Sequence, residues 1–81
     1  MSANPRLLRK RFGQAIRETR LAKGLTQMAL AENAGLTLNF VGEIERGESL
    51  ASIETAVKLA SGLGLTGAEL FKLLDAKLAL G

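Results

Sequence analysis

A glycine between two short helical patterns constrains this chain more than any other feature of its sequence. The stretch from Thr26 to Gly47 reads TQMALAENAGLTLNFVGEIERG, and Gly35 lies where the chain must reverse direction within a few residues. Glycine adopts positive φ without a Cβ clash, so it can end a helix in the left-handed conformation. Thr26 and Thr37 each precede a helical pattern, where their hydroxyl groups can cap free N–H groups. The stretch therefore predicts two helices joined by a tight turn.

The same stretch resembles the helix-turn-helix of phage lambda-type repressors and of the wider Xre/Cro family of bacterial regulators. The resemblance implies an all-α, compact five-helix lambda-repressor-like domain that binds DNA in a sequence-specific way. An ordinary helical hairpin without nucleic acid is the alternative interpretation, because a lone glycine turn would be a weak signal. The positions that agree with the family at fixed spacing are Gln27, Ala31, Gly35, Val41 and the closing Ile44-Glu45-Arg46-Gly47.

Composition restricts the class of function. The 81 residues suit one domain, residues 1–81, with the helix-turn-helix at about residues 26–46. The chain has no cysteine and no histidine, which excludes disulfides, cysteine–histidine and serine–histidine catalysis, and most zinc sites. No apolar run approaches the roughly 18 residues that span a membrane. We therefore expect no enzyme, no metal, no other cofactor and no membrane partner, and the lack of cysteine fits a reducing cytoplasm.

Apolar periodicity and capping residues predict three further helices. Asn4 caps the first helix and Ser52 the fourth. Thr66 and Glu69 form a capping box for the fifth, which covers about residues 67–80. The side chains expected to face the core are Leu8, Phe12, Ala15 and Ile16 in the first helix, Phe40, Val41 and Ile44 in the third, Ile53, Ala56, Val57, Ala60 and Leu63 in the fourth, and Leu70, Phe71, Leu74 and Leu78 in the fifth.

Positive charge is concentrated at the start of the chain. Residues 1–24 hold seven Lys or Arg against one acid, Glu18, whereas residues 25–81 hold four against seven acids. A basic patch of this kind attracts phosphate backbones, although a solvated helix face is the alternative interpretation. Beside a helix-turn-helix, the patch favours double-stranded DNA as the partner.

The resemblance also assigns base-reading roles, because in this family the third helix enters the major groove and the second lies across the backbone. Carried over by position, the base-reading residues are Leu38, Asn39, Gly42 and Glu43. Asn39 can bond adenine N6 and N7, Glu43 can accept from cytosine N4, and Leu38 can touch a thymine methyl group. Gly42 is expected on the exposed side of the helix, where its lack of a side chain lets the backbone approach base edges. The alternative interpretation is that Gly42 relieves crowding against another segment of the protein.

Other positions are expected to contact phosphate or to hold the motif together. The resemblance implies phosphate contacts from Thr26, Gln27 and Arg46, supported by the free N–H groups at the start of the second helix. It also implies a structural ion pair between Arg20 and Glu45, which ties the first helix to the end of the third.

Two functions of different classes remain open. The leading hypothesis is a regulator that occupies an operator as a homodimer, joined through a second apolar stripe on the fifth helix formed by Leu73, Ala76 and Leu80. The alternative is a protein-interaction module, such as an antitoxin or adaptor, which the apolar side chains Leu38, Leu50, Leu73 and Leu80 favour. No effector domain follows the fifth helix, so we expect no small-molecule ligand.

Overall fold

Five α-helices make up the described part of the chain, residues 4–79, in a computed structural model of the protein. In chain order they are α1 (Pro5–Ala22), α2 (Gln27–Ala34), α3 (Leu38–Glu45), α4 (Ile53–Gly62) and α5 (Gly67–Ala79). Residues 4–79 contain no strand. The all-α class and the five helices predicted from the sequence are confirmed. Leu80, which the sequence assigns to the fifth helix, lies outside the described residues.

Side-chain caps fix where the helices begin. Asn4 accepts hydrogen bonds from two N–H groups in the first turn of α1. Thr66 and Glu69 form the predicted capping box before α5. Gly35 ends α2 in the left-handed conformation with φ of 69°, so the chain reverses direction at once and starts α3. The hydroxyl caps of α2, α3 and α4 are Thr26, Thr37 and Ser52.

The core lies where the five helices meet. α1 packs against α3 and α5, α2 packs against α3 and α4, and α4 packs against α5. Both helices of the helix-turn-helix therefore rest on other helices rather than on loops, which fixes their relative orientation. The largest fully buried side chains are Ile16, Leu30, Val41, Ile44, Leu59, Leu63 and Leu70.

Three side chains predicted to face the core are exposed instead. They are Ile53 and Val57 on α4 and Phe71 on α5. Both helices carry apolar residues around much of their circumference, so periodicity alone does not show which side packs. These three predictions were wrong, and the exposed side chains form a surface described below.

Small residues decide which side of α4 faces inward. Ala60 and Gly62 are both buried, and a Cβ added at Gly62 would lie 3.0 Å from the Cβ of Ala34 in α2. Such a close approach of two helices is possible only where both present little side-chain bulk. The side of α4 with small residues therefore packs, together with the fully buried Leu59, and the side with β-branched residues remains in solvent.

α1 and α3 cross in direct backbone contact at Gly13. A Cβ added at Gly13 would overlap the carbonyl oxygen of Ile44 and lie 2.7 Å from that of Glu45. Because backbone atoms cannot rotate away, any side chain at this position would push the two helices apart. Gly13 therefore sets the distance of α1 from the C-terminal end of α3.

Candidate nucleic-acid interface

A buried ion pair joins α1 to the end of α3. Arg20 Nε lies 2.6 Å from Glu45 Oε2, and Arg20 Nη2 donates to Glu45 Oε1 at 3.1 Å. The third donor, Nη1, binds the carbonyl oxygen of Leu25 at 2.8 Å. Both charged side chains are almost fully buried, so each compensates the desolvation of the other. The ion pair expected from the resemblance is thus present in the structure.

The first turn of α2 is tied to the same pair. Gln27 Nε2 donates to Glu45 Oε1 at 3.1 Å, which the sequence did not indicate. A side-chain amide has two N–H donors, so one remains available to a phosphate. Next to it, the hydroxyl oxygen of Thr26 accepts from the N–H of Ala29 at 3.0 Å, and its own proton remains a donor. Arg20, Glu45 and Gln27 therefore link α1, α2 and α3 into one polar network.

The N-terminal end of α3 is open to solvent. Leu38 and Asn39 are both exposed in the first turn of the helix. Within residues 4–79, no hydrogen bond holds the Asn39 amide, so its donor and acceptor face the solvent together. The opposite side of the helix is fixed by Val41 and Ile44, which are fully buried. This end of α3 can meet a ligand without breaking a side-chain hydrogen bond among the described residues.

The C-terminal end of α3 is occupied by the protein itself. Glu43 Oε1 accepts a hydrogen bond from Ser49 Oγ at 2.8 Å. Arg46 forms a two-point bond with Glu48, with Nε–Oε2 at 2.8 Å and Nη2–Oε1 at 3.2 Å. The predicted base reader Glu43 and the predicted phosphate ligand Arg46 therefore both have intramolecular partners.

Gly42 is buried, contrary to the expectation that it lies on the exposed side of the third helix. The cause is Arg46, one turn further along the helix, whose side chain folds back over Gly42. A Cβ added at Gly42 would lie 3.0 Å from Arg46 Nη1. The space left by the missing side chain is thus filled by a guanidinium group rather than left open.

The bond between Arg46 and Glu48 keeps both groups charged. The side-chain hydrogen bond from Arg46 holds the pKa of Glu48 below its ordinary value, and the same bond raises the pKa of Arg46. Both side chains are more than half exposed, and exposed pairs of this kind add little to stability in water. An external anion can therefore compete with Glu48 for Arg46.

Basic side chains of α1 surround Arg46. Arg6, Arg9 and Lys10 line a cleft of about 380 Å³ together with Arg46 and Gly47. The sequence places positive charge on the first helix, but it does not show that these side chains lie beside the end of α3. Only the packing of α1 across α3 brings the two together.

The sequence model of the helix-turn-helix family matches residues 16–70 of the chain. These residues contain α2, α3, α4 and the Arg20–Glu45 pair.

The chain belongs to the helix-turn-helix family.

Individual relatives agree with this assignment. The control protein C.BamHI of Bacillus amyloliquefaciens is 36% identical over 66 residues, covering 80% of this chain and 78% of C.BamHI. The restriction-modification controller protein C.AhdI from Aeromonas hydrophila has a TM-score of 0.74 and 44% identity, covering 78% of this chain and 96% of that one. The clp gene regulator ClgR from Corynebacterium glutamicum has a TM-score of 0.83 and 32% identity. The match covers 90% of this chain and 78% of the ClgR chain. The predicted family resemblance is confirmed.

This helix-turn-helix protein also carries an exposed apolar surface away from α3. We call it the α4–α5 surface, and it consists of Leu50, Ile53, Val57 and Phe71. Ile53 is 78% exposed and Phe71 is 51% exposed. Leu50, Ile53 and Phe71 line an apolar cleft of about 220 Å³, which reaches inward to the buried Phe12. Apolar side chains grouped in this way usually mark an interaction site.

The described part of the stripe predicted as a dimer interface, Leu73 and Ala76, is smaller than the α4–α5 surface. Leu73 is 39% exposed and Ala76 is also exposed, while Leu80 lies outside the described residues. A charged pair borders the stripe, since Lys77 Nζ lies 2.6 Å from Glu18. Among the described residues, the α4–α5 surface is the larger of these two apolar faces, and sequence periodicity indicated the other one.

Within residues 4–79, no three acidic side chains are arranged to hold a metal ion. The same part of the chain contains no helix with the length and apolar character needed to cross a bilayer.

Proposed function

We propose that the chain is a transcriptional regulator that binds an operator in duplex DNA as a homodimer, with α3 in the major groove. The observation that carries this proposal is the exposed N-terminal end of α3, held in place by the buried network of Arg20, Glu45 and Gln27. A recognition helix must present side chains to base edges while its other side is rigidly supported. α3 meets both requirements.

Direct base readout is assigned first to Asn39 and Leu38. The exposed Asn39 amide can bond adenine N6 and N7 together, and Leu38 offers an apolar contact to a thymine methyl group. Glu43 is a weaker base reader, because Ser49 already binds one of its carboxylate oxygens. Gly42 contributes to base contact only when Arg46 moves away from it.

Phosphate contacts are assigned to the first turn of α2 and to Arg46. The early N–H groups of α2 have no partner within the helix and carry partial positive charge, which suits an anion. Thr26 adds a hydroxyl donor, and Gln27 adds the amide N–H that Glu45 leaves unused. These contacts position the protein on DNA without reading the sequence.

The α4–α5 surface is the proposed dimer interface, in preference to the stripe of Leu73, Ala76 and Leu80. Its side chains are more exposed, and its cleft can receive an apolar side chain of the second copy. A dimer presents two α3 helices to half-sites about 34 Å apart, which increases the number of base contacts. Dimerisation would therefore serve recognition directly.

Gene control is the activity that this binding would serve. C.BamHI and C.AhdI are named as control proteins, and ClgR as a regulator of clp genes. We extend to this chain only the control of genes through operator occupancy, with no catalytic step of its own. The proposal places the protein in the cytoplasm with the DNA that it binds.

A protein-interaction module is the second candidate, because the α4–α5 surface would also fit a different protein. Salt dependence separates the two candidates. A regulator loses DNA affinity steeply as salt increases, since bound phosphates release counterions. An adaptor would bind little DNA even at low salt.

Selection of bound sites from random duplex DNA, combined with sedimentation, tests the proposal. We expect a two-fold symmetric motif and a dimer at micromolar protein concentration. Ile53→Asp should produce a monomer that binds the selected duplex weakly, while the matched variant Leu73→Asp should remain dimeric. An asymmetric motif with a monomeric wild type would refute dimeric binding, and a monomeric Leu73→Asp with a dimeric Ile53→Asp would move the interface to the stripe of Leu73 and Ala76.

A further inference from the structure

The basic cleft between α1 and the end of α3 has a geometry fixed by backbone contacts. Gly47 has φ of +73°, and a Cβ added there would lie 3.0 Å from Lys10 Cα. The second contact point is Gly13, where α1 touches the carbonyl groups of α3. The backbone of α1 at Lys10 is therefore held close to the end of α3, and the exposed side chains of Arg6, Lys10 and Arg46 line the same cleft.

Charge in the cleft is unbalanced. Within residues 4–79, no carboxylate forms an ion pair with Arg6, Arg9 or Lys10, and the carboxylate that binds Arg46 is the exposed Glu48. Four cations that line one concave surface repel each other and attract an anion with several oxygen atoms. A phosphate group has this chemistry.

The cleft is separate from the phosphate site at the start of α2. The α2 site includes Gln27, whose amide donates to Glu45, and Glu45 is paired with Arg20 of α1. The α2 site therefore lies beside Arg20. Lys10 precedes Arg20 by ten residues in a continuous helix, which is a rise of about 15 Å. A single phosphate group is too small to contact both places, so the two sites would bind different phosphates of one backbone.

We infer that Arg6, Lys10 and Arg46 form a second phosphate-binding site for the DNA backbone, and that Glu48 weakens it by holding Arg46. This inference rests on the proposed function, because it adds phosphate ligands to a protein already placed on DNA. Phosphate offers Arg46 the same two-point acceptor geometry as Glu48 and can replace it. The carboxylate of Glu48 would then remain close to the phosphate and repel it.

The test compares two double variants of equal charge. Arg6→Ala/Lys10→Ala removes two cations from the cleft, and Lys58→Ala/Lys72→Ala removes two exposed lysines from α4 and α5. Both reduce the net charge from +3 to +1, because two of the eleven Lys and Arg residues are lost. Fluorescence anisotropy with a labelled mixed-sequence duplex, repeated over a series of salt concentrations, gives affinity and salt dependence.

We expect the cleft variant to bind roughly tenfold more weakly than wild type, with the slope of log affinity against log salt reduced by up to about 0.9, the value for one phosphate. At about 0.15 M salt the control variant should stay within about twofold of wild type, because the Debye length there is about 8 Å and charges outside the interface are largely screened. Thermal unfolding should show both variants folded. Equal losses in the two variants would overturn the inference, whereas a wild type that binds no duplex would refute the proposed function itself.

Glu48→Gln tests the second half of the inference. We expect this variant to bind the mixed-sequence duplex about three- to tenfold more tightly than wild type, because Arg46 is released and a negative charge is removed. Arg46→Ala should then cost more affinity in the Glu48→Gln background than in wild type. An unchanged affinity in Glu48→Gln, or an equal cost of Arg46→Ala in both backgrounds, would show that Glu48 does not restrain Arg46.

Discussion

The two ends of α3 differ in what surrounds them. At the N-terminal end, Leu38 and Asn39 extend into solvent. At the C-terminal end, Ser49 binds Glu43, Glu48 binds Arg46, and Arg20 binds Glu45. One end can contact bases immediately, whereas the other must exchange internal partners before it contacts anything else.

DNA recognition is therefore expected at the N-terminal end of α3, and the C-terminal end holds the helix in the fold. Substitutions at the buried C-terminal network should change the free energy of unfolding, because they leave buried charges or overlapping atoms. Substitutions at the exposed N-terminal end should change DNA affinity and leave stability intact. Arg46 lies between these cases, since it belongs to the C-terminal end but is exposed.

The largest expected effect is at Arg20. Arg20→Ala leaves the carboxylate of Glu45 buried without its cation and should lower the free energy of unfolding by about 3–5 kcal/mol. The matched control is Arg17→Ala in the same helix, where the side chain is exposed and the change should stay within about 0.5 kcal/mol. Urea unfolding of the three proteins measures both values, and equal midpoints for the two variants would contradict the supporting role of the pair.

The second largest effect is expected for Gly13→Ala, which should lower the free energy of unfolding by about 3 kcal/mol. The added methyl group meets the carbonyl oxygens of Ile44 and Glu45, which cannot turn aside, so α1 must move away from α3. Gly67→Ala is the control, because a Cβ added at Gly67 in the first turn of α5 meets no atom within 4 Å. If thermal unfolding shows Gly13→Ala to be as stable as this control, the close crossing of α1 and α3 is wrong.

Sequence patterns predicted the helices because the signals for them are local. The N-cap residues, the capping box and Gly35 each act through bonds to neighbouring residues, and all appear in the structure where predicted. The Arg20–Glu45 pair could be predicted only from the family resemblance. Its two residues are 25 positions apart, a separation that no periodicity connects.

The errors concern contacts between elements. The apolar pattern predicts Ile53 and Phe71 in the core, but both are exposed, because a helical wheel shows an apolar side and not the neighbour that covers it. Gly42 was expected to be exposed because a wheel gives the direction of a Cα but not the side chain that folds over it. The contact of Lys10 with Gly47 depends on how α1 crosses α3, which the sequence did not indicate.

The central claim is that the N-terminal end of α3 reads bases. The most direct test is the affinity of Asn39→Ala for the selected duplex and for a scrambled duplex of equal length. We predict that the binding free energy weakens by roughly 1–3 kcal/mol on the selected duplex and changes little on the scrambled one, because only a base contact depends on sequence. Arg46→Ala should weaken binding to both duplexes about equally, as a phosphate contact does. An equal loss of Asn39→Ala on both duplexes, or none on either, would contradict the account.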